Sequence, residues 1–221
     1  MGRRFESCRG RQYEVCMKIK VYNKNIIYAA FTTQKELTLT MCRPQEYYEC
    51  DSIKLRGKVF SYEKLVDHYT QDDGHLSYFS IWSGFNIPSY VLEDFFSKFE
   101  LTKREQKLYN VTRPYSNKPY YFIASKKNDT DTLRHELVHA HYYLNPVYKQ
   151  AANTLVKHMR PDLRKKLTAG LKEKGYTNSV IVDEINAYMA TSGTKYLKTE
   201  FDLEVTRKDI KPFVDLAKTV L

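Results

Sequence analysis

The five residues His135-Glu136-Leu137-Val138-His139 constrain this chain more than any other stretch, because they act as a unit only if their segment is a helix. Residues four apart on a helix stand about 40° apart around the axis and one turn along it. Two imidazoles at that spacing can offer nitrogens to a single ion. Glu136 falls about 100° from His135, off the ion but beside anything the ion holds, which is where a general base belongs. The flanks suit a helix: Asp129, Thr130 and Asp131 are N-cap candidates, and Leu133, Leu137, Val138 and Ala140 supply an apolar side. Pro146 then biases Asn145 out of the helical region and ends it. His141, about 200° from His139, points away and is not counted as a ligand.

Two histidines alone hold a catalytic zinc ion weakly, so a third ligand must come from elsewhere in the chain. The segment Val182-Asp183-Glu184-Ile185-Asn186-Ala187-Tyr188-Met189-Ala190 is the best candidate. Glu184 can face the first helix while the small Ala187, one turn later, permits close approach. Asp183 suits a supporting hydrogen bond to a ligand histidine. His158, within Val156-Lys157-His158-Met159-Arg160, is the rival third ligand. Three protein ligands leave one position open for a water whose pKa the ion lowers. The expected site is therefore one Zn2+ per chain on His135, His139 and Glu184. Glu136 would take the proton of that water and return it to a leaving amine, which is hydrolysis of a peptide bond in a protein or peptide substrate. Tyr142, Tyr143 and Tyr196 are candidate donors to the oxyanion, and none stands out among 19 tyrosines.

These residues carry a resemblance. His135-Glu136-x-x-His139 followed by a glutamate on a later helix resembles the gluzincin branch of the zincin metallopeptidases. Glu184-Ile185-Asn186-Ala187-Tyr188-Met189-Ala190 is similar to the Glu-Ala-Asn-x-Phe-Ala pattern of the ImmA/IrrE-like group. The likeness runs from Tyr120 to Thr191 and implies an edge strand above a cleft, an active-site helix and a glutamate-bearing helix. His135 to Ala140 also resembles the active-site helix of SprT-like proteases, which would imply His158 as third ligand and a nucleic-acid-associated protease. The remaining alternative is a regulatory or binding protein that keeps zinc only for stability. Glu136 argues against it, because structure alone does not require a base beside the ion.

A length of 221 residues is ample for a buried core. The net charge of +10 favours association with polyanions, and a nucleic-acid partner stays open, but no binding motif accompanies it. No stretch approaches the roughly 20 apolar residues of a membrane span. The start, with Arg3, Arg4, Arg9 and Arg11, has no apolar run after it, so an intracellular, cytoplasmic location is expected. Cys8, Cys16, Cys42 and Cys50 are expected as free thiols, since their spacing is wide for structural zinc.

The fold expected is α+β. An N-terminal mixed α/β portion, 1–111, precedes a mainly helical zincin-like core with a short edge strand, 112–221. Val15 to Tyr22 and Ile26 to Phe31 read as a hairpin, and Leu37 to Met41, Ile53 to Leu55 and Lys58 to Phe60 as further strands. Gln71 to Gly74 reads as a loop. Helices are expected after Ser61 and over Val91 to Phe99, and Lys103 to Lys107 as a solvated face. Tyr120 to Ala124 reads as a strand that could line a cleft and pair with an extended peptide. Helices follow over Val147–His158, Pro161–Leu171, Ser179–Thr191 (capped by Asn178) and from Lys208 onward, with Phe201 to Val205 irregular or a short strand.

Overall fold

The computed structural model describes residues 17–50, 52–70, 78 and 82–221. Strands β1 (Met17–Tyr22) and β2 (Ile26–Phe31) form the antiparallel hairpin, turned by left-handed backbone at Asn23 and Lys24. Val15, Cys16, Cys8 and Gln71 to Gly74 lie outside the described residues. The sheet is completed by β3 (Gly84–Pro88) and β4 (Tyr121–Lys126) in the order β1-β2-β4-β3, with β4 parallel to β2 and antiparallel to β3. The fold is α+β, as the sequence implied.

β2 throughout and β4 as far as Ala124 are apolar because both faces of the sheet are covered. Ile27, Ala29, Phe31, Phe122 and Ala124 face helices α1 (Gln34–Glu49), α3 (Ser89–Lys98) and α4 (Lys103–Thr112). Ile26, Tyr28, Tyr121 and Ile123 face α5 (Thr130–Leu144), which contributes Ala140, Leu133 and Leu137. A short helix α2 (Tyr62–Tyr69), capped by Ser61, follows α1. The remaining helices, α6 (Pro146–His158), α7 (Pro161–Glu173), α8 (Ile181–Thr191), α9 (Thr194–Phe201) and α10 (Arg207–Lys218), enclose a second apolar cluster around Val138, Leu167, Ala187 and Leu197. Since β4 joins strands from before residue 112, the portions 1–111 and 112–221 share one sheet and one of its apolar layers. Among the described residues no helix is long and apolar enough to cross a membrane.

Four local readings are corrected. Leu37 to Met41 is not a strand but lies within α1. The alternation Leu-Thr-Leu-Thr-Met also places Leu37 and Met41 one helical turn apart, both buried, and Thr40 gives its hydroxyl proton to Glu36 O at 2.7 Å. Ile53 to Phe60 forms turns around Gly57 instead of strands. Tyr120 to Ala124 precedes and enters an interior strand, paired on both sides, and the edge strand at the cleft is β3. Phe85 and Ile87 alternate with the half-buried Asn86, and Pro88 closes the strand, as an edge position tolerates. Lastly, α8 starts at Ile181 without a side-chain cap, so Asn178 does not serve as one. Cys42 and Cys50 are buried, Cys42 as a free thiol that burial pushes up to about 12.

Candidate metal centre

Helix α5 begins at Asp129, whose side chain accepts from Thr132 N at 3.1 Å, and ends at Asn145, which also caps α6. With both ends fixed, His135 and His139 stand one above the other, and α8 packs against them. Their Nε2 atoms are 3.1 Å apart. Glu184 of α8 closes the group, with Oε1 3.5 Å from His139 Nε2 and Oε2 3.7 Å from His135 Nε2. Ala187 and Ala190 keep α8 close enough for this. His135, His139 and Glu184 thus offer three ligand atoms within 4.8 Å of one another and could hold a metal ion.

The outer ring nitrogens decide which form the histidines take. His139 Nδ1 lies 3.0 Å from Asp183 Oδ2 and donates to it. His135 Nδ1 lies 3.2 Å from Thr191 Oγ1, whose own proton goes to Ala187 O at 2.7 Å, so the hydroxyl accepts from the ring. When the rings are neutral, each Nε2 therefore carries the lone pair, the form that can take a metal ion. Glu184 Oε2, in a residue only 5 % exposed, accepts no hydrogen bond from the described residues. Burial opposes charge on His139, yet the carboxylates of Asp183 and Glu184 hold its pKa well above the ordinary imidazole value. Burial likewise acts to raise Glu184, and the two histidines reverse this and lower it. Two close Nε2 atoms, a carboxylate oxygen without a hydrogen bond among the described residues and the raised His139 pKa all favour positive charge at this point, as a proton or as a metal ion.

Glu136 stands outside this group. Asn86 Nδ2 of β3 donates to Glu136 Oε2 at 2.7 Å, and Tyr121 of β4 donates to Asn86 Oδ1 at 2.6 Å, which fixes the amide's orientation. Burial raises the Glu136 pKa, against the lowering influence of His135, His139 and Asn86. Gly84, two residues before Asn86, makes room: a Cβ there would sit 2.3 Å from Glu136 Oε1 and 2.5 Å from Thr132 Cγ2. Thr132 is stiff at χ1, so Gly84→Ala must displace the strand or the carboxylate. We expect that variant to lose about 10- to 100-fold of any turnover that depends on Glu136, since small misplacements cost of that order. Its metal content, measured by elemental analysis, should equal wild type.

These groups open on a cleft of about 820 Å³ between α5, β3, the end of α1 and the segments flanking α8. Tyr196 lines it, and so do Tyr176 and Tyr188, whose ring stands edge-on to His135 at 4.8 Å. Tyr142 instead donates to Asn153, and Tyr143 packs on Tyr121 and Tyr90. His158 is not brought to the site: it is exposed at the end of α6, with Nδ1 bonded to Thr154 O at 2.8 Å. His141 is buried beside Tyr148, and burial lowers its pKa. Asn86, Gly84, Tyr121 and Thr191 were not read from the sequence. Only Gly84, a glycine next to an alternating Phe-Asn-Ile, left a signal there. The chain matches no family model, no curated protein and no solved structure.

Proposed function

We propose that this chain is a zinc-dependent metallopeptidase of the gluzincin kind, with His135, His139 and Glu184 as ligands and Glu136 as general base. The observation that carries this reading is the division of labour among the site's carboxylates. Glu184 joins the two bare imidazole nitrogens, while Glu136, held by Asn86, faces the same cleft without joining them. A purely structural ion needs no such second carboxylate. The soft, neutral imidazoles with one carboxylate suit zinc better than magnesium or calcium, which favour all-oxygen sites.

A bound zinc ion supplies an acidified water and polarises a carbonyl. The protein's part follows from its own groups. Glu136, raised by burial and aimed by Asn86, accepts a proton from water and passes it to the leaving amine. Asp183 and Thr191 keep each imidazole in the form with Nε2 bare. β3 is the sheet's outermost strand beside the cleft, and among the described residues no strand pairs with its outer edge. An extended peptide adding to that edge would bring its backbone past Glu136.

Elemental analysis of the full chain tests the ligand set. We expect about one zinc per chain in wild type, by the ligand count of a single site, loss in Glu184→Ala and retention in His158→Ala at matched circular dichroism. Loss with His158 instead, or no zinc in wild type after supplementation, would remove this reading.

A further inference from the structure

We propose that Glu49, at the end of α1, is a specificity residue that pairs with a positively charged group of the peptide beside the bond to be cleaved. The inference rests on the peptidase reading for the identity of the occupant. Its own basis is the wall of the cleft opposite the metal ligands, which α1 builds from Gln45, Glu46, Glu49 and Cys50.

The cleft's charge is opposite to that of the chain. Of the described residues that line it, Lys174 alone carries a permanent positive charge, and Glu200 holds it at 3.1 Å. Glu46 is satisfied by hydroxyl donors from Tyr69 and Tyr78. Glu49 is provided for only in part: Gln45 Nε2 donates to its Oε2 at 3.0 Å, and among the described residues no lysine or arginine pairs with it. The other end of the same Gln45 amide, Oε1, is buried and accepts nothing. A carboxylate with a single donor and an orphaned amide oxygen therefore belong to one hydrogen-bonded pair on the cavity wall.

The end of α1 disfavours a charged carboxylate at this place. Glu49 is the last residue of α1, at the negative end of the helix dipole, with no basic residue in the last turn. Burial, and then the carboxylates of Glu184, Asp183 and Glu136, push it up to about 8, while His139 acts in the other direction. Its neighbours across the cleft are thus the metal-site groups themselves, and a positive charge brought beside it is stabilised. A carboxylate set against local electrostatics in a cleft is a mark of binding or catalysis. The cation that meets it is either the α-ammonium of a peptide's first residue or a lysine or arginine side chain. Both present N–H donors to a carboxylate and an amide oxygen.

The test uses the full chain loaded with zinc and one fluorescent decapeptide series. Each peptide carries arginine or lysine, or the neutral citrulline or norleucine, at successive positions, with a free or an acetylated N-terminus. Binding is read by anisotropy in a Glu136→Gln background and cleavage by mass spectrometry with Glu136 intact. Cationic peptides should exceed their neutral counterparts by about 10- to 100-fold in affinity, the range of a charge-assisted hydrogen bond. That ratio should fall to about one in Glu49→Gln and invert toward glutamate-bearing peptides in Glu49→Lys, which a merely structural residue would not cause. If acetylation alone removes the preference, the α-ammonium is the cation recognised; if only the side-chain exchange removes it, a basic side chain is. Equal binding of charged and neutral peptides by wild type, or a preference that survives Glu49→Gln, would overturn the proposal. Cleavage without preference leaves the peptidase reading standing and this one refuted. A Glu49-dependent preference without cleavage does the reverse.

Discussion

Glu136→Gln is expected to retain one metal ion and the fold while losing about 10²- to 10⁴-fold in kcat/KM, the usual contribution of a general base. The substitution is nearly isosteric, and its amide oxygen can still accept from Asn86 Nδ2. The three side chains that could hold the ion are untouched, because Glu136 stands outside their group. What is lost is the capacity to hold a proton. A peptide-hydrolysis assay with paired metal analysis reads both halves, and undiminished hydrolysis in the variant would remove Glu136 from the chemistry. Stability supplies an independent sign. Burial raises the folded-state pKa of Glu136 above its unfolded value, so the folded form binds the proton more tightly. Its contribution to stability is therefore lost as pH rises from the unfolded carboxylate range of about 4.3 upward through the folded pKa. Metal-free Glu136→Gln should accordingly match wild type at lower pH and gain on it in thermal unfolding as pH rises toward neutrality.

The sequence made the metal helix legible because that helix is defined by local signals. Asp129, the His-x-x-x-His spacing and Asn145-Pro146 all lie within one segment, and the cap and the break stand where those residues put them. Glu184 could be singled out because Ala187 and Ala190 give its helix a side on which another helix can come close. The elements that support Glu136 were not legible, since they meet only through the sheet. Asn86 and Glu136 are 50 residues apart, and Tyr121 and Asn86 are 35 apart. An asparagine in a short strand carries no mark of its partner. The same cause moved the edge of the sheet. Tyr120 to Ala124 reads as a short strand and Gly84–Pro88 carries no strand reading, and only the pairing of β4 with both β2 and β3 assigns the first to the interior and the second to the rim. Leu37 to Met41 failed differently: a five-residue alternation fits either period, and the cap at Thr33 settles it as helix.

The largest loss of stability is expected from breaking the buried pair Arg43–Glu105. Sequence reading placed Glu105 on a solvated face, but its side chain is 2 % exposed and that of Arg43 7 %. Arg43 Nε donates to Glu105 Oε1 at 2.8 Å, Nη2 contacts Oε2 and donates to Glu100 O at 2.9 Å, and the guanidinium lies 5.3 Å from the Phe99 ring centroid. Glu105 in turn accepts from Thr102 N at 2.7 Å within the capping box of α4. Glu105→Ala would leave a guanidinium buried without its counter-charge and Thr102 N without its acceptor, half of the capping box of α4. About 3–5 kcal/mol is the expected cost, a large fraction of a typical domain's stability. Urea unfolding should show it as a lower midpoint at unchanged slope. Arg43→Met leaves the opposite orphan and should cost a similar amount, whereas the double variant Arg43→Met/Glu105→Leu removes both charges. It should therefore be more stable than the sum of the single losses, with only the Thr102 cap and two carbonyl acceptors unmet. Additive losses would show that the pair is not the joint between α1 and α4. Because α1 carries Gln45 and Glu49 into the cleft while the metal ligands ride on α5 and α8, the single variants should retain their metal below the unfolding transition. Their discrimination between charged and neutral peptides should weaken first, since it depends on where the last turn of α1 is held.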